Sequence, residues 1–75
     1  MSGLPRVSGR QVVAALGKAG YEEDRQKGSH IVLRQLDPPH RRVVVPDHRE
    51  LAKGTLRAII KQAGLTVEEI VELLR

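Results

Sequence analysis

The chain has 75 residues, with 13 Lys and Arg against 9 Asp and Glu, no Cys, and Tyr21 as its one aromatic side chain. That length fits one domain over residues 1–75, near the lower size limit for folding unaided, and the lack of cysteine excludes disulfides and thiolate metal sites. A formal net charge of +4 favours polyanionic partners, nucleic acid first among them.

Residues 1–7 contain Gly3 and Pro5 and read as a short extended lead-in. Ser8 and Gln11 stand at capping-box spacing, and Val12, Val13, Leu16 and Ala19 follow at helical period, which predicts a helix stopped by Gly20 in a left-handed C′ position. Residues 21–27 alternate like a strand, but their many charges suit a sheet edge. Gly28-Ser29 is a two-residue turn in which Gly28 supplies positive φ. Residues 30–36 (HIVLRQL) predict a second strand. Asp37-Pro38-Pro39-His40 lacks ladder donors and predicts a turn, residues 41–45 form a third strand, and Pro46 stops it. After a loop over residues 46–52, a helix starting at Lys53 or Gly54 carries Leu56, Ile59, Ile60 and Ala63 on one face and stops at Gly64. Thr66 and Glu69 form a second capping box, opening a final helix with Ile70, Val71, Leu73 and Leu74 apolar. No apolar run approaches the ~20 residues of a membrane span and no signal-peptide core is present, so the expectation is a soluble, cytoplasmic protein that engages no membrane.

The order α-β-β-β-α-α predicts an α+β fold: an antiparallel three-stranded sheet covered on one face by helices. It is the α-β-β-β-α order of the double-stranded-RNA-binding domain with a short extra C-terminal helix. In such a meander the hairpin turning at residues 37–40 brings the far ends of strands two and three together. His30 then lies near Pro46 and the loop with Asp47, His48 and Arg49, and the start of the second helix, with Lys53 and Thr55, follows from that loop. If Ile31 and Leu33 pack under the helices, His30 and Arg34 share the open face. Whether Arg42 or Val43 joins Arg34 across the strands depends on the register at the Pro-Pro turn.

An imidazole among cations suits RNA cleavage without a metal or any other cofactor. The ribose 2′-OH must lose a proton, the leaving 5′-oxygen must gain one, and histidines titrate near neutral pH. Cations and backbone N–H groups would stabilise the charge that develops on phosphorus. The plainer readings are a surface histidine at His30, loop histidines at His48 and His40, turn glycines at Gly28 and Gly54, and solvated arginines. Three dispersed histidines lack the spacing of a metal site. A non-catalytic RNA-binding module using the same basic face, and a protein that acts only through a neighbouring regulator, are the alternatives.

Across nearly its whole length the chain resembles the HicA (YcfA-like) toxins of toxin–antitoxin modules. The resemblance runs through Ala19-Gly20-Tyr21, RQKGSHIVLR (residues 25–34), VVVPDHRELAKGTLRAIIKQAGL (residues 43–65) and the closing TVEEIVELL. The Gly28-Ser29-His30 run and the Lys53-Gly54-Thr55-Leu56 helix start, at this separation, are its specific features. It implies a double-stranded-RNA-binding-like fold and an endoribonuclease (mRNA interferase) that cleaves messenger or single-stranded RNA and arrests translation. It also implies a HicB-type antitoxin that covers the active site. The family's catalytic histidine falls on His30, presented by Gly28, and His48 stands where the family often has a second histidine, as an assistant. Candidate RNA- and phosphate-binding residues are Lys27, Ser29, Arg34, Arg42, Lys53 and Thr55, with Gly54 shaping the helix start. Tyr21 stands where the family commonly has Phe, and Leu33 where an aromatic is frequent, so the grip on RNA rests more on charge than on stacking.

Overall fold

The computed structural model describes residues 3–75, so Met1 and Ser2 of the lead-in lie outside the described residues. Helix α1 (Gly9–Lys18) opens as its capping box requires: the Gln11 amide donates to Ser8 Oγ (3.1 Å), and Gln11 Oε1 accepts from the Ser8 amide (2.8 Å). Gly20, with φ 94°, ends it. Strands β1 (Tyr21–Lys27), β2 (His30–Gln35) and β3 (Arg42–Pro46) form one antiparallel sheet in that order. Helix α2 (Lys53–Gln62) is stopped by Gly64 (φ 72°), and the Thr66–Glu69 capping box opens α3 (Val67–Leu73).

Two strand limits shift from expectation. β2 ends at Gln35 rather than residue 36: the Leu36 amide still donates to the Gly20 carbonyl (2.9 Å), one rung past Tyr21–Gln35, but the positive φ of Gly20 (94°) ends the partner strand there. β3 starts at Arg42 rather than residue 41 and takes in Pro46. The Arg41 main chain instead closes the turn: its carbonyl accepts from the Gln35 amide (2.8 Å), and its amide donates to Gln35 Oε1 (3.1 Å). Pro46 is tolerated as the last rung of an edge strand, where no donor is required.

The core lies on one face of the sheet. Ile31, Leu33, Val43 and Val45 meet Val12 and Leu16 of α1, Leu56 and Ile59 of α2 and Ile70 of α3. Leu4 and Val7 are buried there too, so the lead-in is part of the core rather than an appendage. Tyr21 is buried, and its hydroxyl donates to the Ala63 carbonyl (3.0 Å), fastening the start of β1 to the end of α2. Burial pushes its phenol above the usual value, and the nearby Arg41 charge offsets part of that rise. Among the described glycines, Gly9 is the one pressed against the backbone of another segment. Its amide donates to the His48 carbonyl (2.9 Å), and a Cβ at this position would overlap the Pro46 carbonyl.

Gly9→Ala should therefore lower the unfolding free energy by about 2 kcal/mol, as overpacking does. The control is Gly17→Ala, where an added Cβ meets nothing within 4 Å, and which should raise stability by up to about 1 kcal/mol. Urea unfolding of the two variants beside wild type decides both signs. Tyr21→Phe should cost about 1 kcal/mol by orphaning a buried carbonyl. Because the fold favours the neutral phenol, the Tyr21 contribution is complete below the ordinary pKa of 10.0 and declines as pH rises through the raised value. Thermal melts taken across that alkaline range should fall less steeply for Tyr21→Phe than for wild type.

Candidate nucleic-acid interface

The turn between β1 and β2 is short enough to leave little choice in where His30 points. Lys27 and His30 are paired across the hairpin, and Gly28 takes φ 60° while Ser29 does not enter the positive-φ region. That is the pattern of a type II′ turn, whose twist matches the flanking strands. Across β2 and β3, His30 stands opposite Pro46, so Lys27, His30 and Pro46 form one rung. The Asp47 amide donates to the Ser29 carbonyl (2.6 Å), extending the ladder one bond past Pro46 and holding the loop against the turn.

A polar network on the helix side braces this end of the sheet. Gln26 donates from Nε2 to the Gly28 carbonyl (3.2 Å) and to Asp47 Oδ2 (3.1 Å). The Arg10 guanidinium of α1 donates to Gln26 Oε1 (2.7 Å) and Glu23 Oε1 (3.2 Å) and lies 3.7 Å from Asp47 Oδ1. Gln26 stands opposite the core residue Ile31, and so lies with Arg10 and Asp47 on the helix side. They fix the backbone from which His30 projects.

The open face carries His30, Val32 and Arg34 of β2, because Ile31 and Leu33 are in the core. Arg42, not Val43, is the residue opposite Arg34. On β1 the register shifts between Glu23 and Arg25, a β-bulge at Asp24. Glu23 and Gln26 consequently turn to the helix side, where Arg10 meets them, while Arg25 pairs with Val32 and Lys27 with His30 on the open side. Bulges re-aim side chains in this way. Arg25 was not among the residues singled out from sequence.

Among the described residues, Glu23, Asp47, Glu50 and Glu72 are taken by Arg10, Arg6 and Arg75. Arg25, Lys27, Arg34 and Arg42 pair with no carboxylate there, and all four are exposed. The result is an exposed imidazole on a sheet face that also carries Arg25, Lys27 and Arg42 and, at the far end, Arg34 with Glu22 directly opposite it on β1.

The other candidates are less closely gathered. His48 gives its carbonyl to Gly9, and its exposed imidazole makes no hydrogen bond among the described residues. Lys53, Gly54 and Thr55 begin α2 beyond Leu51, whose amide is held by the Val7 carbonyl (2.8 Å); no strand pairing or hydrogen bond joins them to His30. The α2 N-cap, Ala52, has no side-chain cap bond. His40 belongs to the turn, with φ 58° and Nδ1 3.2 Å from the Gln35 carbonyl. An open concavity of about 440 Å³ lies at the opposite end of the sheet, lined by Glu22, Glu23, Asp24, Arg34, Gln35, Leu36 and His40. Three carboxylates make it a poor seat for phosphate, and His30 is not part of it. Among the described residues no three His, Cys, Asp or Glu side chains come together as a metal site requires. No helix there is long and apolar enough to cross a membrane.

A family model described as the HicA toxin of bacterial toxin–antitoxin matches residues 9–65. Comparison with curated proteins returns no match. The matched span starts at Gly9, where α1 meets the end of β3, and takes in the whole sheet, the His30 hairpin and α2. It covers well over half of the sequence, and the chain belongs to the HicA toxin family of bacterial toxin–antitoxin systems.

Proposed function

We propose that the protein is a metal-independent endoribonuclease, an mRNA interferase whose cleavage of messenger RNA arrests translation, with His30 as its general acid/base. The observation that carries this reading is the exposed His30 imidazole beside Lys27, on a face where Arg25, Arg34 and Arg42 are likewise free of carboxylate partners. The family match supports the toxin part of it.

In the proposed reaction the ribose 2′-oxygen attacks the adjacent phosphorus and the bond to the 5′-oxygen breaks. A base takes the 2′-OH proton, an acid protonates the leaving oxygen, and imidazole can serve either transfer near neutral pH. Lys27, with Ser29 beside it in the turn, stabilises the added charge on the phosphoryl oxygens. The products are a 2′,3′-cyclic phosphate and a 5′-hydroxyl, and DNA is spared because it lacks the nucleophile. Arg34 and Arg42 hold the strand farther along β2. Lys53 and Thr55 at the start of α2, and His48 in the preceding loop, are the supporting positions. A HicB-type antitoxin neutralises the toxin by covering the His30 face.

Purified protein should cleave a messenger transcript, and His30→Ala should lower the rate by at least about a hundredfold, the usual contribution of a positioned acid or base, with its thermal stability retained. His48→Ala should reduce the rate far less. Cleavage should persist in EDTA, and replacing the scissile nucleotide by its 2′-deoxy form should abolish it. A His30→Ala protein that cleaves like wild type, or a strict metal requirement, rejects the mechanism.

A further inference from the structure

Gln26 is an exposed residue of the edge strand β1, with its side chain on the helix side of the sheet. Its amide can sit only one way round. A guanidinium is a donor only, so Gln26 Oε1 accepts from Arg10 (2.7 Å), and Nε2 is left for two acceptors, the Gly28 carbonyl (3.2 Å) and Asp47 Oδ2 (3.1 Å). Helix α1, the β1–β2 turn and the loop after β3 thus meet at one primary amide.

The bond to Gly28 sets more than the place of the turn. That carbonyl belongs to the central peptide, the unit whose orientation distinguishes a type II′ from a type I′ turn. The Gly28–Ser29 peptide is trans, since Pro38–Pro39 is the one cis bond among the described residues, and a trans peptide points its N–H and C=O in opposite directions. With the carbonyl held on the helix side by Gln26, the Ser29 N–H is directed to the open side, the side of His30. No hydrogen bond among the described residues uses that N–H, whereas the Ser29 carbonyl accepts from the Asp47 amide (2.6 Å). Turning the peptide over would carry Ser29 to positive φ, which is costly for a residue with a side chain, and would break the bond from Gln26. The turn residues and Gln26 favour the same orientation.

We propose that Gln26 is a positioning residue of the His30 site: through the Gly28 carbonyl it holds the Ser29 main-chain N–H toward a phosphoryl oxygen of the scissile linkage. The proposal rests on the reading of His30 as the cleavage site and adds to it a residue that touches no substrate. Negative charge grows on the phosphoryl oxygens as the 2′-oxygen adds to phosphorus. A fixed N–H aimed at one of them stabilises that charge without first having to move, as the donors of an oxyanion hole do.

Two variants separate this role from that of a general brace. Gln26→Glu keeps the shape of the side chain and its acceptance from Arg10, but a carboxylate has no hydrogen to give Gly28 or Asp47. Gln26→Glu/Asp47→Asn exchanges donor and acceptor between those two residues, restoring the tie to the loop and the net charge but not the bond to Gly28. Steady-state cleavage of a messenger transcript gives kcat and KM. The residual dipolar coupling of the Ser29 N–H in the free protein gives the orientation of the peptide with no cleavage involved. Gln26→Glu should lower kcat by roughly ten- to a hundredfold, the effect of a small misplacement at a reacting centre. Its KM and melting temperature should stay close to those of wild type, and its Ser29 coupling should change. The double variant should recover neither kcat nor the coupling.

A Gln26→Glu protein with wild-type kcat overturns the proposal. So does a double variant that regains it, because the loop tie or the added charge would then be the cause. A Ser29 coupling that is the same in wild type and Gln26→Glu overturns it as well. All three leave cleavage that depends on His30 untouched. A wild type that never cuts rejects the nuclease reading and the catalytic part of Gln26 with it, while the coupling still decides whether Gln26 sets the turn.

Discussion

The first turn of α1 lies flush against the end of β3, and this close packing depends on position 9 having no side chain. With hydrogen there, the Gly9 amide reaches the His48 carbonyl and the Pro46 carbonyl passes directly beneath the helix. Three things follow from one close approach. The helix layer is held at the end of the sheet where β2 begins. The loop after Pro46 is fixed at both sides, by Gly9 and by the Asp47 bond to Ser29. Arg10, the next residue of the helix, is thereby brought over Glu23, Gln26 and Asp47. The placement of His30 is thus a consequence of how helix and sheet meet, as much as of the turn that precedes it.

Charge is divided between the two faces of the sheet. On the helix side, near the edge, Glu23 and Asp47 are taken up by Arg10. On the open side, Arg25, Lys27, Arg34 and Arg42 make no ion pair among the described residues, although Glu22 stands opposite Arg34 at the far end of that face. A fold selected only for stability would pair or dilute such charges, since opposed arginines weaken a ladder. In a domain this small, net stability is a narrow difference between large terms, and the opposed Arg34 and Arg42 weigh against it.

The local features were legible because their causes are local. Two capping boxes, the glycines that stop α1 and α2, the Gly28 turn and the Pro-Pro turn each depend on a few adjacent residues, and each lies where the sequence places it. The facing of β2 was readable as well, once Ile31 and Leu33 were assigned to the core. What depends on distant partners was not. Nothing near Gly9 in the sequence announces the Pro46 carbonyl, and the pairing of Arg34 with Arg42 is a matter of register. The bulge did leave a signal. Tyr21 and Lys27 are six residues apart and would share a face in a regular strand. Yet Tyr21 is buried, and Lys27 must face outward with His30 across a two-residue turn. That conflict of parity requires one irregular residue between them. The conjunction of His30 with the start of α2, by contrast, was drawn from the topology alone, and no hydrogen bond among the described residues joins the two.

The bulge at Asp24 also bears on how these molecules meet one another. β1 is an edge strand with its outer backbone groups unclaimed by the sheet, and such an edge is a template on which a second chain can add. A regular run of donors and acceptors is needed for that addition. Asp24 interrupts the run midway and increases the local twist. The five consecutive exposed residues from Glu22 to Gln26 are all polar, four of them charged, and give an incoming strand little to pack on. The irregularity that directs Arg25 and Lys27 to the open face therefore also makes β1 a poor template for strand addition.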